Sequence, residues 1–266
     1  MITLLSSASF RIALDSDTRS GKNWGYNGPA PVGSDPVPET LDWNLWLGTG
    51  AERPYKQGFY HPANWRKILD YGCGTLGDMG VHIFDTPYTT LKLDVPETIK
   101  ARCRKPTGFG HPEKNTVEYK FPGTEYTTRH LKWVWYDGAG APDQHRDLLL
   151  PDNEKLPGEG AMFVGEKGNL LLPHCDYPKL IVNGKYEKID FPMVEEVNHY
   201  HQFADACLGK GECSAPFSYA SRLTEAILLG VAANRFPDKK LHWNIAAAQF
   251  AEKEANVLLK SEYRSF

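Results

Sequence analysis

An aspartate and a histidine four residues apart are the side chains of this sequence best suited to proton transfer. They are Asp78 and His82, which follow a glycine-rich loop and precede Asp85. If residues 77–92 form a helix, the three side chains share one face, because positions i, i+3 and i+4 are neighbours on a helix. Histidine titrates near neutral pH, and an adjacent carboxylate fixes its tautomer and orientation. The spacing therefore predicts a general acid/base pair at Asp78 and His82.

From the residues alone, a structural role for this pair is the simpler alternative. Asp78 follows Gly77 at the start of the expected helix, where aspartate commonly caps free backbone N–H groups. His82 could equally be a core histidine whose ring nitrogens are satisfied by neighbouring groups. The pattern by itself leaves both interpretations open.

The glycines that precede the pair match a dinucleotide-binding fingerprint, Gly72-x-Gly74-x-x-Gly77. That fingerprint works only when it ends a buried parallel strand and opens a helix. A buried parallel strand reads as a nearly continuous apolar run, whereas residues 64–71 contain two cations and an acid. We therefore expect a tight loop that leads into a helix, with glycines at unusual dihedral angles.

The composition is that of an ordinary globular protein, with 266 residues, 41% hydrophobic and 24% charged. A net charge of −3 offers no basis for binding nucleic acid or an anionic membrane. No apolar run is long enough to span a bilayer, and the N-terminus is a poor signal peptide. Five scattered cysteines without a C-x-x-C pair favour free thiols in a reducing compartment. We expect a cytoplasmic protein.

Hydrophobic periodicity predicts an α+β fold with an open, mostly antiparallel sheet covered by helices on one face. Residues 1–14 favour a strand, and the Gly- and Pro-rich residues 15–38 favour a long loop. Helical spacing predicts a turn at 41–48 and helices at 77–92, 200–208, 218–235 and 246–259. The predicted strands are Thr98–Lys105, Thr116–Phe121, Thr127–Tyr136, Ala161–Val164, Asn169–Leu172, Leu180–Val182 and Lys185–Tyr186.

Five segments of the chain resemble, in the same order, the C-terminal domain of the Gfo/Idh/MocA oxidoreductases. They are Leu41–Gly48, Ala51–Tyr55, Tyr60–Arg66, Gly77–Asp85 and Glu254–Arg264. The resemblance divides the chain into an irregular N-terminal segment at 1–24, which holds the expected strand, and a substrate and oligomerisation domain at 25–266.

The resemblance implies an enzyme that transfers a hydride between NAD or NADP and a hydroxyl of a sugar or cyclitol. In that family an N-terminal Rossmann domain binds the nucleotide, and the open sheet of the C-terminal domain mediates oligomerisation. Asp78 and His82 match the family's Asp-x-x-x-His pair. By this resemblance His82 would be the general acid/base, and Asp78 would orient the substrate or the imidazole.

The same resemblance implies a substrate pocket lined by aromatic and basic side chains. Aromatic rings suit the apolar faces of a pyranose, and a guanidinium offers several donors to hydroxyls or a carboxylate. An aromatic core with a solvated Arg66 is an equally good interpretation, and His199 and His201 could both be exposed. The predicted substrate-binding residues are Trp43, Trp46, Tyr60, His61, Trp65, Arg66 and His199.

Residues 1–24 contain neither the strand–Gly-x-Gly-x-x-Gly–helix unit nor the Glu-Lys-Pro lysine that the family uses. We therefore expect the nucleotide-binding domain to be missing or to be supplied by a separate Rossmann-domain partner. Because hydride transfer needs a bound cofactor, the chain alone should be inactive in redox chemistry and should not bind NAD(P) tightly.

Two other functions fit the same residues. A non-redox sugar lyase or hydrolase could reuse Asp78, His82 and Asp85, and a carbohydrate-binding or oligomerisation module would need none of them. In all three cases the bare face of the sheet should be covered, so we expect a homo-oligomer. The spacing of the histidines and carboxylates matches no standard metal site, so we expect no bound metal.

Overall fold

The structure, a computed structural model, describes residues 13–145, 147–191 and 196–264. Within these residues ten strands form one sheet in the order β10-β9-β2-β3-β4-β1-β5-β6-β7-β8. Neighbouring strands run antiparallel except β1 and β4, which are parallel. The strands are β1 Ala13–Ser20, β2 Thr98–Arg102, β3 Lys114–Pro122, β4 Thr127–Gly138, β5 Glu159–Gly165, β6 Asn169–Pro173, β7 Lys179–Val182, β8 Lys185–Glu187, β9 Lys240–Asn244 and β10 Gln249–Phe250.

Two long helices cover one face of this sheet. The α-helices are α1 Trp43–Leu47, α2 Gly74–Thr90, α3 His199–Cys207 and α4 Phe217–Ala233, and 3₁₀ helices lie at Asn64–Lys67, Pro151–Asn153 and Lys253–Leu259. Helices α2 and α4 pack against each other and against the central strands. The prediction of an α+β fold with a mostly antiparallel sheet and helices on one face is therefore confirmed.

The main core lies between these helices and the sheet because the strands alternate between buried and accessible residues. In β3, Val117, Tyr119 and Phe121 are buried, and the residues between them are more accessible. Trp133 of β4 packs on Phe84 of α2, with ring centroids 4.6 Å apart. Buried aromatic side chains of this size supply much of the apolar area that stabilises a fold.

The opposite face of the sheet is covered over only part of its width. Leu148 and Leu156, from the connection between β4 and β5, pack on Met162, Leu171 and Ile181 of β5, β6 and β7. The strands on the other side of β1 carry exposed charged residues here, such as Lys120 on β3 and its register partner Lys132 on β4. In the described residues, no helix packs over these lysines.

The predicted loop at 15–38 is wrong at its start, because residues 15–20 belong to β1, and residues 1–12 lie outside the described residues. Residues 16–20 are polar but buried in the middle of the sheet. These residues find partners in distant parts of the chain: the Trp133 Nε1–H donates to Thr18 Oγ1 over 2.8 Å, and His145 Nε2 lies 2.7 Å from Asp17 Oδ2. A polar strand with distant partners has no local sequence signal.

The predicted helix at 246–259 is also wrong. The chain forms the β9–β10 hairpin and then a 3₁₀ helix, because Trp243 and Phe250 pack together with ring centroids 4.8 Å apart. The Asn256 side chain bonds both the N–H and the carbonyl of Phe250. These tertiary contacts override the helix propensity of the alanines at 246–248.

Candidate functional site

The glycine-rich loop before α2 is shaped by close packing. It follows the 3₁₀ helix Asn64–Lys67, so the prediction of a tight loop without a preceding strand is confirmed. A Cβ on Gly72 would lie 2.6 Å from Arg66 Cα, and a Cβ on Gly74 would lie 2.9 Å from His111 Cβ. Gly74 also has φ of +65°, which favours glycine. Both glycines are therefore required by their neighbours in the fold.

Asp78, on the second turn of α2, forms an ion pair with Arg66. Arg66 Nε donates to Asp78 Oδ1 over 2.7 Å, and both side chains are about a quarter exposed. The guanidinium also lies over the rings of Trp65 and Trp24, at 4.5 and 5.1 Å from their centroids. Asp78 thus holds Arg66, and no hydrogen bond joins it to His82 in the described part of the chain.

His82, one turn further along α2, is exposed and lines a small cavity of about 130 Å³. The wall opposite the helix comes from the ends of β5 and β6 and the residues after β6, including His174 and Asp176. The His82 and His174 rings lie 6.0 Å apart, centroid to centroid. Neither imidazole has a hydrogen-bond or ion-pair partner among the described residues, so both are free to meet a ligand.

Asp85 completes the face of α2 that holds Asp78 and His82, but it contacts α4. The Tyr219 hydroxyl donates to Asp85 Oδ1 over 2.6 Å. Burial, with the carboxylate as a second cause, raises the pKa of Tyr219 above its usual value. The three residues that share a helix face therefore have three separate environments: Arg66 for Asp78, the cavity for His82 and Tyr219 for Asp85.

Most of the predicted aromatic pocket residues pack with one another. Trp43 and Trp46 stack with centroids 4.6 Å apart, and Tyr60 lies against both. Tyr60 is only 1% exposed, and its hydroxyl has no partner in the described residues. Tyr71 packs on both Tyr60 and Trp46. We call Trp43, Trp46, Tyr60 and Tyr71 the aromatic cluster; its side chains pack on each other in the way a core does.

The remaining predicted site residues do not join this cluster. His61 is exposed beside it, and His199 is exposed at the start of α3, where its ring centroid lies 4.1 Å from that of Tyr200. Helix α3 forms as predicted, but its apolar stripe is exposed, with Tyr200 at 74% and Phe203 at 64%. The substrate-binding roles assigned from the sequence, including that of His199, stay predictions.

His174 is the residue of the cavity that the sequence analysis missed. It directly follows β6, in the connection Pro173-His174-Cys175-Asp176. The run His174-Cys175-Asp176, between two predicted strands, was the signal that could have drawn attention to it. The distance in sequence from His82 hides the contact, because only the pairing of β5 with β6 brings this connection to α2.

Two kinds of feature are absent from the described residues. No group of three His, Cys, Asp or Glu in them is arranged to share a metal ion. None of their helices combines the length and the apolar character needed to cross a bilayer.

The family match falls on the segment that builds this site. Residues 5–110 match the Gfo/Idh/MocA model described as the oxidoreductase family, C-terminal alpha/beta domain. This stretch is therefore similar to the C-terminal domain of the Gfo/Idh/MocA oxidoreductases. The match includes the aromatic cluster, the glycine-rich loop and His82, and it confirms the resemblance seen in the sequence. Of the residues that line the cavity, His82, Ile83 and Thr86 lie within the matched stretch.

Several solved structures are similar to parts of this chain. An NAD-binding protein from Listeria innocua is 14% identical over 86% of this chain and 55% of its own length, with a TM-score of 0.45. An oxidoreductase from Agrobacterium radiobacter, solved with NAD⁺, L-tartaric acid and magnesium, is 12% identical over 90% and 59%, with a TM-score of 0.43. The biliverdin reductase of Synechocystis, solved with biliverdin and NADP⁺, is 11% identical over 87% and 58%, with a TM-score of 0.40.

The present chain spans between 55% and 59% of the length of these three structures. A comparison with curated protein sequences finds no match.

Proposed function

We propose that this chain is the substrate half of an NAD(P)-dependent oxidoreductase acting on a hydroxyl of a sugar or cyclitol. The observation that carries the proposal is the imidazole of His82, exposed at a polar cavity and without a protein partner in the described residues. Oxidation of a hydroxyl releases a proton from its oxygen, and His82 accepts that proton at a ring nitrogen.

In this proposal Asp78 is paired with Arg66 and does not form an acid/base pair with His82. Because Asp78 is bonded to Arg66, it positions the guanidinium rather than the imidazole. Only part of the donor fork of Arg66 is used by Asp78, so other N–H groups remain for a substrate hydroxyl or carboxylate. His82 then acts as the base without a carboxylate partner, and helix α2 determines the position of its ring.

The nucleotide cofactor does not fit the glycine-rich loop of this chain. The loop follows a 3₁₀ helix rather than a strand, and the backbone of Arg66 and the ring of His111 occupy the space beside Gly72 and Gly74. In this proposal NAD or NADP is therefore held by a separate Rossmann domain, which supplies the hydride acceptor. The chain alone binds NAD(P) weakly.

The size of the cavity agrees with a site that is completed by another surface. A volume of about 130 Å³ is well below the roughly 300–1,000 Å³ of pockets that enclose a whole small ligand. It accommodates one edge of a polyol, with one or two hydroxyl groups near His82. The rest of the ring would lie outside, where a nucleotide-binding domain could cover it.

We also propose that the chain forms a homo-oligomer through the uncovered part of the sheet face. Lys100 on β2 pairs in register with Glu118 on β3, so this surface carries both signs of charge. Light scattering should give a mass that is a multiple of the chain mass. A monomer at all concentrations would contradict this assembly.

Calorimetric titration of NAD⁺ and NADH into the purified chain, with ¹⁵N-histidine NMR during addition of D-glucose or myo-inositol, tests the function. We expect weak or no nucleotide binding and a polyol-dependent shift at the His82 imidazole. The matched control is His130→Gln, since His130 is an exposed histidine of β4 on the other side of the sheet from α2.

Three outcomes would contradict the proposal. Micromolar NAD(H) binding by this chain would mean that it builds its own nucleotide site. Sugar turnover without a nicotinamide would favour the lyase or hydrolase. A His82 imidazole that responds to none of the polyols would remove the substrate site.

A further inference from the structure

The cavity at His82 contains a second imidazole that the proposed reaction does not yet use. His174 lines the same cavity, with its ring centroid 6.0 Å from that of His82 and the ring planes inclined by 51°. The rings are too far apart for a direct hydrogen bond. The separation does allow one oxygen atom to lie within hydrogen-bond distance, about 2.9 Å, of a nitrogen on each ring.

Both imidazoles are mounted on rigid parts of the fold. His82 lies on α2, which packs against β1 and β5. His174 directly follows β6, where Pro173 pairs with Gly160 of β5, and its backbone N–H donates to the Glu159 carbonyl over 3.0 Å. Since β5 contacts both, the spacing of the two rings is set by helix–sheet packing and strand pairing. Groups held in this way are suited to bind one fixed ligand atom.

No polar contact within the described residues gives the His174 side chain a structural role. It is only partly buried, and its imidazole has no hydrogen-bond or ion-pair partner in residues 13–145, 147–191 and 196–264. A neutral imidazole presents one donor and one acceptor nitrogen. A hydroxyl group, which both donates and accepts, is the ligand chemistry that two such rings can share.

We propose that His174 is a substrate-binding residue of this site and holds the same polyol hydroxyl as His82. The inference rests on the function proposed above. In it, His82 accepts the hydroxyl proton, and His174 donates a hydrogen bond to the same oxygen. His174 thereby holds that oxygen against His82 and favours the negative charge that develops on it as the proton leaves.

The test follows the imidazole signals of the ¹⁵N-histidine-labelled full chain while D-glucose or myo-inositol is added. We expect His82 and His174 to shift with the same dissociation constant. His174→Gln should weaken polyol binding, read at His82, by about tenfold, as for the loss of one hydrogen bond. His130→Gln, the same substitution on the uncovered face of the sheet, should leave the dissociation constant unchanged.

A second variant separates a binding role from a folding role. His174→Phe keeps an aromatic ring against the cavity wall but removes both ring nitrogens. It should unfold at the same urea concentration as the wild type and bind the polyol as weakly as His174→Gln. Binding by either variant within twofold of the wild type would overturn the role of His174 and leave the proposed function standing. No polyol response at His82 in the wild type would overturn both.

Discussion

The aromatic cluster and His82 lie in the same family-matched segment, but they differ in what their polar atoms can do. In the aromatic cluster Tyr60 is 1% exposed, and the Trp43 indole N–H donates to the Arg53 carbonyl over 2.8 Å. At the cavity the imidazole of His82 is exposed and has no partner among the described residues. The comparison teaches that burial, more than residue type, decides which side chains of a recognised motif are free to bind.

His111 and His82 show the same contrast between a buried and an exposed polar side chain. His111 is buried, and its Nε2–H donates to the Gly72 carbonyl over 2.8 Å, which requires the tautomer protonated at Nε2. Burial lowers the pKa of His111 to about 4. His111 is thus a neutral structural histidine, whereas His82 faces the cavity. The alternative of a satisfied core histidine, considered for His82, describes His111 instead.

The largest expected effect is the loss of the Tyr60 ring. Tyr60→Ala should lower the free energy of unfolding by about 3–5 kcal/mol, because it leaves a cavity between Trp43, Trp46 and Tyr71. Tyr60→Phe should be neutral or slightly stabilising, because the hydroxyl that it removes is buried without a partner in the described residues. Urea unfolding measures both. A Tyr60→Ala variant of wild-type stability would show that the cluster is a surface rather than a core.

The next effect is the pH dependence due to His111. The unfolded chain binds a proton near pH 6.5, whereas the folded chain does so only near pH 4. The folded state is therefore destabilised as the pH falls from 6.5 to about 4, by about 3 kcal/mol in total. His111→Gln should remove this dependence, as measured by urea unfolding at a series of pH values.

Asp137 provides the control because it acts in the opposite direction. Burial raises its pKa to about 7, so its contribution to stability is lost as the pH rises from about 4 to 7. Asp137→Asn should make the slope of the unfolding free energy against pH more positive between pH 4 and 7. His111→Gln should make the same slope more negative. If the two variants changed the slope in the same direction, the assignment of one histidine as buried and neutral would be wrong.

A smaller effect is expected at Arg66, which links the loop residues to α2. Arg66→Ala should cost about 1–2 kcal/mol, since it removes a partly buried ion pair with Asp78 and the contacts with the rings of Trp24 and Trp65. Arg66→Lys should recover only part of this, because an ammonium lacks the planar fork. Equal stability of all three proteins would mean that Arg66 is solvated, as one interpretation of the sequence allowed.

The smallest effect on stability is expected at His82. His82→Gln should change the free energy of unfolding by less than about 0.5 kcal/mol, because the side chain is exposed and has no partner in the described residues. The same substitution should abolish the polyol-dependent shift of the His174 imidazole, which lines the same cavity. A destabilisation of several kcal/mol would instead assign His82 a structural role and would erase the contrast with His111.

Regular elements with strong local patterns could be predicted from the sequence. Strand β4 and helix α4 were placed to within a few residues, and the hairpin at Asn183-Gly184 forms with positive φ at both residues. Strand β1 was missed beyond residue 14 because its polar residues read as a loop, and their partners lie more than a hundred residues away. Predictions failed where long-range pairing outweighed local propensity.

The sequence by itself determined the family resemblance, the helix that holds Asp78, His82 and Asp85, and the alternation that builds the sheet. These depend on local spacing and motif order, which are visible along the chain. The tertiary structure alone decided which group each of these residues faces: Arg66, the His174 cavity or Tyr219. The reason is physical, because a helix face fixes only directions, whereas the partners come from the strands and loops that pack against it.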